Sequence, residues 1–164
     1  MEYIFIGKIV NTHGIKGELR IKSDFDKKEL VFRPGFSLYI GKGYVKEEIV
    51  TYRCHKDFDM VTLKGYDNIN QVLSYVKMDV YVKREDLHLT DEDYLLEDLV
   101  GLEVREKGEI LGKVLEIVYN GSNILLFIAS QIKNFYIPHQ SYFIKKVDLD
   151  KKVIEVENAK GLIL

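Results

Sequence analysis

The chain is poor in several things, and each shortage narrows what it can be. One cysteine in 164 residues rules out an internal disulfide and a thiolate metal cluster, so a reducing cytoplasm is the simplest setting to expect. There are two prolines and no low-complexity tract. The longest apolar runs, "GSNILLFIAS" and "LEIVY", fall far short of the ~20 residues of a membrane span. The first residues, "MEYIFIGKIV", carry an acid at position 2 and no small-residue cleavage site, so no secretory leader is expected. A basic excess is missing too. Residues 1–88 carry 15 Lys and Arg against 13 Asp and Glu, a net +2, and residues 89–164 carry 9 against 13, a net −4. An autonomous nucleic-acid binder draws its affinity from neutralised phosphates and needs more cations than this. Weak RNA contact by the first half remains open.

Catalytic signatures are also lacking. There is no G-x-S-x-G, no Walker loop and no G-x-G-x-x-G. His13, His55, His88 and His139 are scattered without metal-ligand spacing. Cys54 and His55 are adjacent, but strand neighbours point to opposite faces. With Val50 and Tyr52 on its side of the alternation, Cys54 is expected in the core and His55 in solvent. No enzyme, metal or cofactor is expected.

What is present is strand signal: short runs rich in Val, Ile, Tyr and Phe between turn residues. In the first half these are "YIFIGKIV", "GELRIKS", "SLYIG", "VKEEIVTYRCHK", "MVTLKG" and "DVYVKRE". Turns fall at Gly14 to Gly17, Arg33 to Gly35, Gly41 to Gly43 and Asp57 to Asp59. In "NINQVLSYVK", Ile69, Val72, Leu73 and Val76 have helical spacing, which predicts one short helix capped by Asp67 or Asn68. "REDLHLTDEDYLLEDL" is acidic and lacks alternation until its end, as a linker would. Strands resume at "GLEVRE", "GEILGKVLEIVYN", "NILLFIAS", "NFYIPHQ" and "FIKKVDLDKKVIEVEN", with "DLDKK" as a hairpin turn. The fold class is all-β: two small barrels, which leave few exposed edges, joined by a short linker. Each half has a similar strand, Gly7-Lys8-Ile9 and Gly112-Lys113-Val114, too short a likeness to define a repeat.

One stretch, "NTHGIKGELRI" (residues 11–21), gathers a histidine, two glycines and two basic residues. Its G-x-x-G matches the loop that clamps nucleic-acid backbone in KH domains, but that loop joins helices, and strands flank this one. A phosphate site at a helix N-terminus fails for the same reason. It reads as a strand connection, Gly14 and Gly17 supplying the turn, with His13, Lys16, Arg20 and Lys22 projecting from one barrel end.

"IGKIVNTHGIKGELRIKSDFD" (residues 6–26) resembles the opening of the RimM family, bacterial accessory factors for maturation of the small ribosomal subunit. "DYLLEDLVGLEV", "GEILGKVLEIVYNGSNILLFI" and "YIPHQSYFIKKVDLDKKVIEVENAKGLIL" follow in that family's order, so the likeness spans almost the whole chain and is weakest over residues 30 to 75. The resemblance implies a six-stranded N-terminal barrel over 1–86, a linker over 87–93 and a PRC barrel over 94–164. It implies a monomeric, cytoplasmic, non-enzymatic factor that binds a head protein of the 30S subunit, the nineteenth small-subunit protein, promotes folding of the 16S rRNA 3′ domain and so aids 16S processing. The contrasting expectation is a stand-alone RNA-binding protein acting directly on 16S rRNA.

Within that resemblance His13, Gly14, Lys16, Gly17 and Arg20 become candidates for rRNA contact, and Tyr94, Leu95, Gly121, Asn123 and Pro138 for contact with the ribosomal protein. Family members often carry an aromatic pair where this chain has Tyr94-Leu95. Tyr94 is therefore either a partner contact or an aromatic packing on the barrel. "NGSN" stands at a Gly-Ala-Asn loop of the family, with Gly121 in a tight turn and Asn123 bonding locally or facing a partner. Pro138 ends strand pairing at an edge. Phe143 and Ile144 are expected in the core.

Overall fold

A computed structural model of the chain describes residues 2–163. The chain divides between Leu89 and Thr90 into two compact units.

The first unit comprises β1 (Tyr3–His13), β2 (Glu18–Lys22), a one-turn helix α1 (Lys28–Val31), β3 (Ser37–Ile40), β4 (Val45–His55), β5 (Phe58–Leu63) and β6 (Asp79–Lys83). The strands close into a barrel in the order β1-β2-β5-β4-β3-β6. Closure follows from the length of β1, which pairs antiparallel with both β2 and β6. Its burial phase slips at bulges after Phe5 and Ile9, so Ile4, Ile6 and Ile9 all face inward. Leu19, Ile21, Leu38, Ile40, Ile49, Val61 and Leu63 fill the interior, each contributing about 1.5–3 kcal/mol over an exposed position.

Two carboxylates are buried with this core. Glu47 accepts hydrogen bonds from the Tyr66 and Tyr75 hydroxyls. Asp59 accepts one from the Tyr52 hydroxyl at 2.7 Å, and the Lys28 ammonium lies 2.9 Å from its other oxygen. Buried charge is tolerated only with such partners. Burial and the carboxylates beside them raise the pKa of Tyr52 and Tyr75 well above the ordinary phenol value.

Three local expectations are corrected. Cys54 is exposed although it shares the inward side of β4 with Tyr52, opposite Asp59, because it lies one residue from the end of the strand. β4 bulges between Ile49 and Thr51, and Val50 turns outward there. The segment after Asn68 forms two 3₁₀ turns, Ile69–Gln71 and Leu73–Tyr75. The Lys77 amide leaves the helical pattern to bond Ile9 O at 2.7 Å, so Val72 is buried while Leu73 is 50% exposed. Gln71 Oε1 accepts the amides of Asp67 and Asn68 and begins the segment. Finally, the β4–β5 turn is confined to Lys56 and Asp57, and Asp59 lies inside β5.

The second unit opens with a 3₁₀ turn (Leu96–Leu99) and holds β7 (Glu103–Glu106), β8 (Glu109–Asn120), β9 (Asn123–Ala129), β10 (Phe135–Pro138), β11 (Ile144–Asp148) and β12 (Val153–Val156). These form one six-stranded sheet in the order β10-β9-β8-β7-β12-β11, antiparallel except for β12 against β7. Leu99, Val104, Val114, Leu126, Ile137, Ile154 and Ala159 share one core, against which Phe143 and Ile144 pack half-buried. No helix among the described residues is long and apolar enough to cross a membrane.

Candidate functional site

The turn between β1 and β2 is built by two glycines. Gly14 and Gly17 have φ of 75° and 88°, which disfavour a side chain. At Gly17 a Cβ would also lie 2.9 Å from Asn68 O. The Ile15 carbonyl accepts the Ile69 amide at 2.9 Å, so the turn is braced against the 3₁₀ segment. His13, Gly14 and Lys16 are exposed, whereas Gly17 is buried and Arg20 half-buried. Gly17 thus shapes the turn and offers no surface.

Alternation continues the surface along the barrel wall. Leu19 and Ile21 point inward, which sends Glu18, Arg20 and Lys22 outward. An Arg20 Nη lies 3.1 Å from His13 Nδ1. The Arg20 guanidinium and Lys22 ammonium stand 5.2 and 5.8 Å from the Phe58 ring centre, and Arg20 Nε is buried without a hydrogen-bond partner. His55 is opposite Phe58 in the β4–β5 register, with its ring 6.1 Å from that of His13. Arg53 grips Glu18 with two bonds of 2.9 and 2.7 Å, and that fork holds the Glu18 carboxyl below its ordinary pKa. Lys8 faces Lys22 across β1 and β2. Like charges in direct opposition cost the fold stability and offer an anion two donors.

The structure therefore enlarges the predicted cluster. His13, Lys16 and Arg20 belong to one face, which Lys8, Lys22, Arg53, His55 and Phe58 complete. His55 and Phe58 were findable in the sequence, since a two-residue turn at Lys56-Asp57 must set them opposite each other.

Candidates of the second unit gather at one end of its sheet, where Pro138 pairs with Leu125 and the His139 amide donates to Ile124 O at 2.8 Å, next to Asn123. The Tyr94 hydroxyl lies 2.8 Å from His139 Nε2, the two rings meeting edge to face. Leu95 is fully buried. Gly121 (φ 63°) makes the β8–β9 turn, and Asn123 pairs with Asn120 at its base. Pro138 is the last residue of β10, at one end of the sheet.

A closed six-stranded barrel with a cationic wall, followed by an acidic six-stranded sheet, defines a two-unit β protein that presents charged turns and strand faces. Residues 4–87 match the RimM N-terminal domain and residues 96–162 the RimM PRC barrel domain. The chain is 36% identical to a ribosome maturation factor RimM of an Exiguobacterium strain, over 99% of this chain and 98% of that one. It is 38% identical to the Bacillus subtilis protein of the same name, over 96% and 95% respectively. The chain belongs to the RimM family.

Proposed function

We propose that this protein is a non-catalytic, cytoplasmic assembly factor for the small ribosomal subunit. The observation that carries the reading is similarity along nearly the entire chain to proteins named ribosome maturation factor. In this reading the second unit docks on a ribosomal protein of the subunit head, the nineteenth small-subunit protein, for which its net −4 suits a basic partner. The face around His13, Lys16 and Arg20 touches 16S rRNA. A factor that grips one conformer of the head stabilises it by its differential affinity. The 3′ domain then folds, 16S processing proceeds, and later contacts displace the factor.

Charge reversal tests the division of labour. Lys16→Glu with Arg20→Glu should weaken binding to immature small subunits about tenfold or more, since each lost phosphate contact weakens the electrostatic term. Binding to the purified head protein should be unchanged. If subunit binding is also unchanged, the rRNA assignment is wrong. If the unaltered chain binds neither partner, the assembly-factor reading falls.

A further inference from the structure

A second outward face of the barrel, separate from the His13 turn, is aromatic. Tyr39, Tyr81 and Phe5 stand in direct opposition across β3, β6 and β1. The row continues sideways through ring contacts. Phe5 meets Tyr81 edge-on at 5.9 Å, Tyr81 meets Tyr44 edge-on at 5.0 Å, and Tyr44 stacks on Tyr3 at 4.0 Å with the planes 5° apart. Tyr3 in turn meets Tyr39 at 5.3 Å.

Packing accounts for Tyr39, which is buried. It does not account for Phe5, 53% exposed, or Tyr44, 38% exposed. Tyr44 also occupies a φ of 51°, a region that bulky residues avoid. Strain of that kind persists where the surroundings impose it and collects at functional positions. Here it lays a phenol ring flat on Tyr3 at the surface.

Cations surround the rings. The Lys83 ammonium lies 5.0 Å from the Tyr39 ring centre and 5.9 Å from that of Tyr3. Lys46 is opposite Tyr39 in the β3–β4 register, Lys42 occupies the same turn as Tyr44, and both lysines are exposed. Lys8 and Lys77 lie near the same strands, against the acids Glu48, Asp79 and Glu85. This balance is too even to hold a duplex by charge alone. It suits a ligand that supplies flat rings for stacking and phosphates for the lysines.

We propose that the outer face of β3, β6 and β1 is a stacking platform for unpaired RNA bases, with Phe5 and Tyr44 as the contacting rings and Lys42, Lys46 and Lys83 on the phosphates. The proposal rests on the ribosomal role above and adds to it a second RNA contact of a different kind. Base paired in a duplex, RNA hides its faces and is a poor ligand here.

The test uses the full chain and two labelled probes, a twelve-nucleotide oligoadenylate and a twelve-base-pair RNA duplex, followed by fluorescence anisotropy at low salt. Phe5→Ser and Tyr44→Gly are the informative variants, because Phe5 points outward and glycine relieves the strained φ. Tyr142→Ser, an exposed aromatic of the second unit, is the control. The single strand should bind tighter than the duplex, and Phe5→Ser and Tyr44→Gly should each weaken it about 5- to 100-fold, with the control unchanged. Equal binding of both probes, or no effect of either variant, overturns the platform. So does an effect of these variants on binding the isolated head protein instead, which would make the face a protein contact. Co-sedimentation with immature small subunits is read alongside. A chain that co-sediments but ignores the oligonucleotide loses only the platform, and one that binds the oligonucleotide but not the subunit loses the ribosomal role.

Discussion

Both units contain a strand reading Gly-Lys-Ile or Gly-Lys-Val, and in both the glycine does the same work. A Cβ on Gly7 would lie 2.5 Å from Lys22 O, and one on Gly112 would lie 2.3 Å from Ala129 O. Each missing side chain lets a neighbouring strand's carbonyl approach where the sheet bends. The results differ. β1 pairs on both sides and closes a barrel, while β8 runs through the middle of a sheet that ends in β10 and β11. The buried acids differ in the same way. Glu47 and Asp59 fasten tyrosines and a lysine to the barrel wall. Glu106 instead accepts the Ala159 amide at 2.7 Å and fixes the segment that leads to the 3₁₀ turn Lys160–Ile163, beside β10. Local glycine geometry is thus shared, and what becomes of the sheet edges is decided by which strands lie next to it.

The strongest way to break this comparison is to restore the missing Cβ in each unit separately. Gly7→Ala and Gly112→Ala each push a methyl into a backbone carbonyl that cannot rotate away. Each should cost about 3 kcal/mol or more, at the upper end of overpacking changes, and lower the melting point of its own unit by about 10 °C or more. Scanning calorimetry of both variants reads the result. If either substitution lowers the whole melting profile together, the two units unfold as one and their separate treatment fails.

Alkaline pH should sharpen the contrast by a smaller amount. Tyr52, Tyr66, Tyr75 and Tyr81 of the barrel all have raised pKa values, through burial, hydrogen bonds to carboxylates or both. A phenol whose folded pKa exceeds its unfolded value favours the fold fully below the unfolded pKa. That contribution is lost as pH rises above about 10. Thermal melts across that range should show the barrel destabilised, and Tyr75→Phe should flatten the dependence. An unchanged slope in that variant would show that the Glu47 contact does not set the barrel's alkaline limit.

The strands were legible because short β-branched and aromatic runs stand between turn residues, even where bulges interrupt the alternation. Reading failed where a strand end left an inward position exposed, as at Cys54, or where a tertiary bond took over, as when Ile9 O captured the Lys77 amide. The one-turn helix at Lys28–Val31 left too short a pattern to be seen. Of the candidate site, the glycine turn was plain from its spacing. The meeting of Phe58 with Arg20 and Lys22 of β2, and the aromatic row of Phe5, Tyr81 and Tyr39, depend on strand order. A non-sequential order such as β1-β2-β5-β4-β3-β6 is not written in any local pattern.

The smallest expected effect resolves the two readings of Tyr94. Its hydroxyl bonds His139 Nε2 at 2.8 Å within the second unit, and its ring packs half-buried against that unit's core. A net neutral hydrogen bond of this kind contributes about 1 kcal/mol. Tyr94→Phe keeps the ring and removes only the hydroxyl, so the second unit should melt a few degrees lower while affinity for the head protein stays within about twofold. Combining it with His139→Ala in a double-mutant cycle should return a coupling of about 0.5 kcal/mol or more, as for residues in contact. Those results make Tyr94 a clasp that holds the entry of the chain onto the sheet. A loss of partner affinity of about tenfold with unchanged melting and no coupling to His139 would make the hydroxyl a contact for the partner instead.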